Sequence, residues 1–169
     1  MQGGPDDRDI EILEYLESDA RIPWRRLASI LGVSEATIYI RVKKLSSLGI
    51  LRGFRALIDP SPLGLSTVLF VFLKVKPGML GRVREKLGEL DFVVEIHEVA
   101  GDYQLLAKVL APSQGEAARA VEEIAGIEGV TDYATIASLQ TVKIDSSIVR
   151  AYKYWARVGQ RESPATSRR

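Results

Sequence analysis

The chain has no cysteine and a single histidine, His97, among its 169 residues. Disulfides, thiolate metal sites and any site drawing two histidines from one subunit are therefore excluded. The same lack accords with a cytoplasmic protein. No apolar run approaches the roughly 20 residues of a membrane span, so no membrane partner is expected. The opening MQGGPDDRD lacks the basic-then-apolar order of a secretory leader. A glycine-rich phosphate loop is also missing, because GGP near the start has no strand–turn–helix context.

What is present is unevenly placed. The net charge is only +1. Residues 21–55 carry 8 Lys or Arg against Glu35 alone, giving +7. Residues 61–145 carry 8 basic and 12 acidic side chains, giving −4, and 146–169 carry 6 basic against Glu162, giving +5. A basic segment beside an acidic body points to contact with a polyanion in one place.

The basic segment reads as helices. DIEILEYLESDA, residues 9–20, places Ile12, Leu13, Tyr15 and Leu16 on one face, behind the acids Asp6, Asp7 and Asp9 that suit a helix start. WRRLASIL, from Trp24 to Leu31, turns Leu27, Ile30 and Leu31 inward and stops at Gly32, where positive φ is expected. SEATIYIRVKKLSSLG follows, with Ser34 as its cap and Thr37 three residues on. Its inward stripe is Ile38, Val42 and Leu45. Three short helices with a tight turn before the last form a helix-turn-helix pattern.

That stripe predicts what the third helix shows to solvent. Ala36, Ile40, Lys43 and Ser47 fall opposite it, with Thr37, Arg41 and Lys44 on one flank and Tyr39 on the other. A small residue near the N-terminus followed by base-reading and phosphate-binding side chains is the arrangement a major-groove helix needs. Exposed Ile40 suits a thymine methyl, and Lys43 suits base edges or phosphate. Arg25, Arg26, Arg41, Lys44 and Arg52 suit phosphates. With Ser34, Glu35, Ala36, Thr37 and Tyr39 these make the expected interface with double-stranded DNA. A protein-interaction module built on the same three helices is the competing reading.

Beyond Gly49 a strand is expected over Leu51–Ile58, then a hinge at Asp59–Gly64. Ser66–Val75 is apolar on both alternating faces, which marks a strand buried on both sides. GMLGRVREKLGEL is helical, FVVEIHEVA and YQLLAKVL form a hairpin, SQGEAARAVEEIAGI is a second helix capped by Ser113, and a last strand runs from Gly129 to Ile144. The order β-α-β-β-α-β is the split βαβ of ferredoxin-like domains, so the chain is α+β. Two helices cover one sheet face; Val68, Phe70 and Phe72 on the other predict a homodimer through the sheets. The expected domains are 1–50, 51–64 as linker, 65–145, and a basic tail 146–169. In the tail a helix through Val158 carries Ile148, Tyr152 and Trp155 on one face, and the last eight or so residues are expected to be disordered. The tail is expected to clamp a neighbouring subunit, with DNA contact as the alternative.

The stretch Asp9–Asp59 resembles the N-terminal domain of the leucine-responsive regulatory protein/asparagine-synthase regulator (Lrp/AsnC) family. The likeness lies in Asp9, Ile12-Leu13, Asp19-Ala20-Arg21, Leu27-Ala28, Gly32-Val33-Ser34, Arg41-Val42 and Leu45 to Gly49-Ile50. GDY at 101–103 and LQTVK at 139–143 fall where that family's sensing-domain motifs fall, so the resemblance spans about Asp6 to Lys143. It implies a prokaryotic transcription regulator, dimeric through the sheet domain and often octameric, modulated by a small effector such as an amino acid bound between dimers. Carried over, the effector site is Gly101, Asp102 and Tyr103, with Thr131, Tyr133 and Thr135 facing it. The sequence departs from the family at Gln104, where many members have an acid able to pair with an α-ammonium. A plain hairpin, or a regulator acting without effector, therefore stays open.

Sirohaem decarboxylases share the resemblance, but their His-Asn-Tyr pattern is absent and His97 stands alone in a strand. Glu95, Glu98 and Asp102 alternate along an edge and read as a solvated rim rather than an acid/base pair. No enzymatic activity, cofactor or metal is expected.

Overall fold

The computed structural model describes residues 4–144 and 147–161. The expected disorder of the last residues lies outside that range. By compactness the chain divides into two units, Met1–Ala56 with Ile144–Arg169, and Leu57–Lys143.

The first unit holds α1 (Asp7–Ser18), α2 (Trp24–Leu31), α3 (Glu35–Ser47) and α6 (Ile148–Arg161). Each of the first three helices stops or starts for a local reason. Asp6 caps α1 in a reciprocal box with Asp9, its side chain accepting the Asp9 N–H at 2.9 Å. Gly32 closes α2 at φ 65°, a conformation glycine adopts without Cβ strain. Ser34 opens α3, its hydroxyl accepting the Thr37 N–H at 3.0 Å. Ile12, Leu27, Ile38 and Leu45 are fully buried between these helices. Ile30, expected inward, is 46% exposed, because Leu27, Ala28 and Leu31 already fill the inner face of this two-turn helix.

The fourth helix of this unit comes from the far end of the chain. Glu17 of α1 accepts the Ser147 hydroxyl at 2.9 Å and the Ile148 N–H at 2.8 Å, so a carboxylate borrowed from another helix caps α6. Val149 is buried in the three-helix core, and Lys153 pairs with Glu14 at 2.5 Å. The packing face of α6 is thus Val149 and Lys153. Its aromatic stripe points to solvent, with Tyr152 half exposed and Ile148 and Trp155 more so.

The second unit has β1 (Thr67–Val75), α4 (Leu80–Gly88), β2 (Val93–Glu98), β3 (Leu105–Ala111), α5 (Gln114–Ala125) and β4 (Val130–Ala137). The strands form one antiparallel sheet in the order β2-β3-β1-β4, as a ferredoxin-like βαββαβ unit requires. Leu69, Val71 and Leu73 alternate onto the helix-covered face, where they meet Leu105, Ala107 and Val109 of β3 and Val83, Leu87, Val121 and Ile124 of the helices. Phe70 and Phe72 stand half-buried on the other face, opposite Lys108 and Leu106.

Two expected strands are shorter or missing. Residues 51–58 form no strand among the described residues, because no neighbouring strand pairs with them, and an extended segment without a ladder is not a strand. Phe54, Leu57 and Ile58 along it are exposed. The last strand ends at Ala137, opposite Leu69, with one further hydrogen bond from the Ser138 N–H to the Val68 carbonyl at 2.9 Å; Leu139, Val142 and Ile144 beyond it are exposed. At Ser61–Leu63 the expected hinge contains one 3-10 turn.

Candidate functional site

Helix α3 presents the face its stripe predicts. With Ile38, Val42 and Leu45 buried, Ala36, Tyr39, Ile40, Lys43 and Ser47 are exposed, as are Ser34 and Glu35 at its start. Ile40 is 65% exposed, an apolar side chain on the outermost line of a helix whose neighbours there are small or cationic. Tyr39 leans on Trp24 of α2, ring centroids 5.5 Å apart, which braces α3 against α2. Arg25 and Arg26 stand exposed in the first turn of α2, and Arg52 is exposed past the end of α3. Thr37 is half-buried, its hydroxyl 2.8 Å from that of Ser34.

Arg41 and Lys44, expected as phosphate contacts, have partners inside the protein. Arg41 Nη1 donates to both oxygens of Asp6 at 2.9 and 2.8 Å and to Asp9 Oδ1 at 2.7 Å. Lys44 Nζ donates to Asp9 Oδ2 at 2.7 Å. Asp9 is fully buried, and its second oxygen also accepts the Asp6 N–H at 3.1 Å. Burial opposes ionisation of Asp9, but the hydrogen bonds from Lys44 and Arg41 outweigh it and hold the carboxyl below the usual aspartate range. The Arg41 hydrogen bond lowers Asp6 too. These acids suit the helix dipole by position alone; the i, i+3 spacing of Asp6 with Asp9, matching that of Arg41 with Lys44, is the signal that pairs them.

In the second unit the Gly-Asp turn joins β2 to β3. Gly101 takes φ 138°, and the turn closes with the Val99 N–H donating to the Gln104 carbonyl at 3.0 Å. Tyr103 lies against Phe72, centroids 5.9 Å apart, with Lys74 Nζ 5.2 Å above its ring. Lys74 pairs with Asp132 at 3.1 Å, and that pairing raises the lysine and lowers the aspartate. Asp102 is exposed on the turn. Gln104 points inward on its own backbone: Oε1 accepts the Val75 N–H at 2.9 Å, and Nε2 donates to the Asp102 carbonyl at 3.3 Å.

The remaining candidates divide by face. Tyr133 and Thr135 oppose Leu73 and Val71, so they project on the helix-covered side of the sheet, not beside Tyr103. Thr131 donates to the Lys74 carbonyl at 3.2 Å. The residues that accompany Tyr103 are instead Phe72, Lys74 and Asp132, which strand alternation counted from Leu73 would have found.

The acids of the sheet edge are tied to cations. Glu95 accepts Lys108 at 2.7 Å and is held low chiefly by that bond, with exposed His97 3.6 Å away. Glu98 pairs with Arg84. Among the described residues there is no group of three His, Cys, Asp or Glu placed to hold a metal, and no helix long and apolar enough to cross a membrane.

Comparison with known proteins agrees with this two-part architecture. Residues 6–46 match the AsnC-type helix-turn-helix domain and residues 68–148 the Lrp/AsnC ligand binding domain. The chain is 34% identical to the HTH-type transcriptional regulator FL11 of Pyrococcus furiosus over 85% of its own length and 95% of that protein's. It is 37% identical to the HTH-type transcriptional regulator LrpA of Pyrococcus abyssi, covering 82% and 99%. Among solved structures, E. coli AsnC superimposes with a TM-score of 0.78 at 30% identity, covering 83% of this chain and 96% of that one.

Proposed function

Because the chain belongs to the Lrp/AsnC family of DNA-binding transcription regulators, we propose that it reads specific DNA sequences through the exposed face of α3. Exposed Ile40, flanked by Ala36, Lys43 and Ser47, carries this reading. An isoleucine on the outer line of a solvated helix is unfavourable in water and useful against a thymine methyl. Lys43 beside it supplies a base or phosphate contact, while Arg25, Arg26 and Arg52 supply backbone contacts that set position. The second unit senses a small effector at the turn of Gly101, Asp102 and Tyr103, and it joins copies through the sheet face of Phe70 and Phe72. The protein acts in the cytoplasm as a dimer or a higher assembly.

Selecting bound duplexes from a random library tests the DNA reading. A recovered consensus supports it; recovery without sequence preference contradicts it. For the sensing unit, a thermal-shift screen of amino acids and keto acids is the direct test, since a ligand stabilises the state it binds. The inward Gln104 amide leaves no carboxylate at that position for an α-ammonium. That one observation favours an effector other than an ordinary amino acid, or regulation without one.

A further inference from the structure

Arg41 and Lys44 lie on the flank of α3, next to the face that reads DNA. With Asp6, they line one open hollow that also contains Thr37 and Ile40. We propose that Asp6 and Asp9 are positioning residues for DNA recognition. They neutralise two cations of the reading helix and pin its rotation, so that α3 presents Ile40 and Lys43 instead of a uniformly basic surface. This inference rests on the DNA reading given above.

Charge and geometry both support it. Two carboxylates face two cations at 2.7 to 2.9 Å, so the cluster is close to neutral. The +7 of residues 21–55 thus reaches DNA as about +5, seven less the two paired charges. An ammonium or guanidinium held by a buried carboxylate gains little by moving to phosphate, because leaving strands Asp9 in a dry site. The anchor also resists rolling of α3. Its three buried side chains form a single narrow stripe, and the clamp fixes a second line on the flank. A helix free to roll would exchange Ile40 and Lys43 for Arg41 and Lys44 at the groove. Its contacts would then move from base edges to phosphates, with loss of sequence information.

The test uses the full chain with Asp6→Asn, Asp9→Asn and the double variant. Asparagine keeps the cap at residue 6 while removing the charge. Binding is titrated by anisotropy on a duplex selected by the wild type and on a random duplex, from about 50 to 200 mM salt. The clamp predicts that random-duplex affinity rises several-fold, with a salt slope steeper by about 1 per freed cation. The ratio of selected to random affinity then falls roughly tenfold, the scale of one lost base contact. A merely structural role would lower the melting temperature and weaken both duplexes together at unchanged slope, and that result overturns the proposal. Asp6→Asn leaves Arg41 and Lys44 sharing Asp9 alone, one uncompensated positive charge on the flank, so at the exposed rim it keeps the test decisive if Asp9→Asn unfolds. A wild type that prefers no duplex removes the DNA reading itself, which is a different failure.

Discussion

Asp9 of α1 and Arg41 of α3 meet at 2.7 Å, with no part of the aspartate exposed to solvent. Two residues 32 positions apart thereby couple the first helix to the helix proposed to read DNA. Breaking one side of such a pair leaves an uncompensated charge, which is why its cost exceeds that of a surface pair.

The first consequence is acid sensitivity. Asp9 and Asp6 are held below the ordinary aspartate range, Asp9 by Lys44 and Arg41 against its burial and Asp6 by Arg41. A carboxyl lowered on folding adds stability that is present above its unfolded value and lost as pH falls through its folded one. Unfolding followed by urea should therefore show the helical unit level above about pH 5 and weakening below about pH 4. In Asp9→Asn the decline should be smaller, because one of the titrating partners is gone. Glu95 and Asp132 are lowered as well, so the comparison between variant and wild type isolates the clamp.

The helix from the C-terminal end should behave as part of the DNA-binding unit. Val149 is 5% exposed in its core, and Glu17 caps α6 with its carboxylate. Val149→Ala should cost about 1–2 kcal/mol. Glu17→Ala should cost about 1 kcal/mol through the lost cap. Calorimetry checks both; melting unchanged in both variants would show that α6 does not hold to α1.

The Gly-Asp turn should depend on the Gln104 amide. Its Oε1 satisfies the Val75 N–H where the β1–β4 register shifts, between Lys74 and Val75. Gln104→Ala should destabilise the sheet unit by about 1 kcal/mol, the scale of one lost hydrogen bond. Gln104→Glu keeps the acceptor but turns a charge toward the Asp102 and Gly101 carbonyls, so it should not restore full stability. Chemical denaturation of the two variants decides this, and full stability of Gln104→Ala would contradict it.

Local rules made the elements legible. The αL glycine at 32, the serine caps at 34 and 113, and the alternation of β1 each follow from chemistry within a few residues. What escaped depends on partners distant in the chain. A strand over 51–58 needs a neighbour that the residues themselves do not name, and a buried acid such as Asp9 looks like any first-turn carboxylate until its cations are found. In α6 the docking residues are Val149 and Lys153, set by Glu17 and Glu14 of α1, two acids 131 or more positions away that the helix's own sequence does not name. At the sheet, the family resemblance points to Tyr133 and Thr135 as facing the turn, whereas the pleat sets Asp132 beside Lys74 and Tyr103.

The central claim is that α3 reads base sequence through Ile40 and Lys43. Its most direct measurement is the affinity of wild type, Ile40→Ala and Lys43→Ala for a duplex selected by the wild type and for a random duplex, at one salt concentration. Each variant should lose about 1–3 kcal/mol on the selected duplex and much less on the random one, and should relax the consensus at the positions it contacts. Equal losses on both duplexes from both variants would contradict the account.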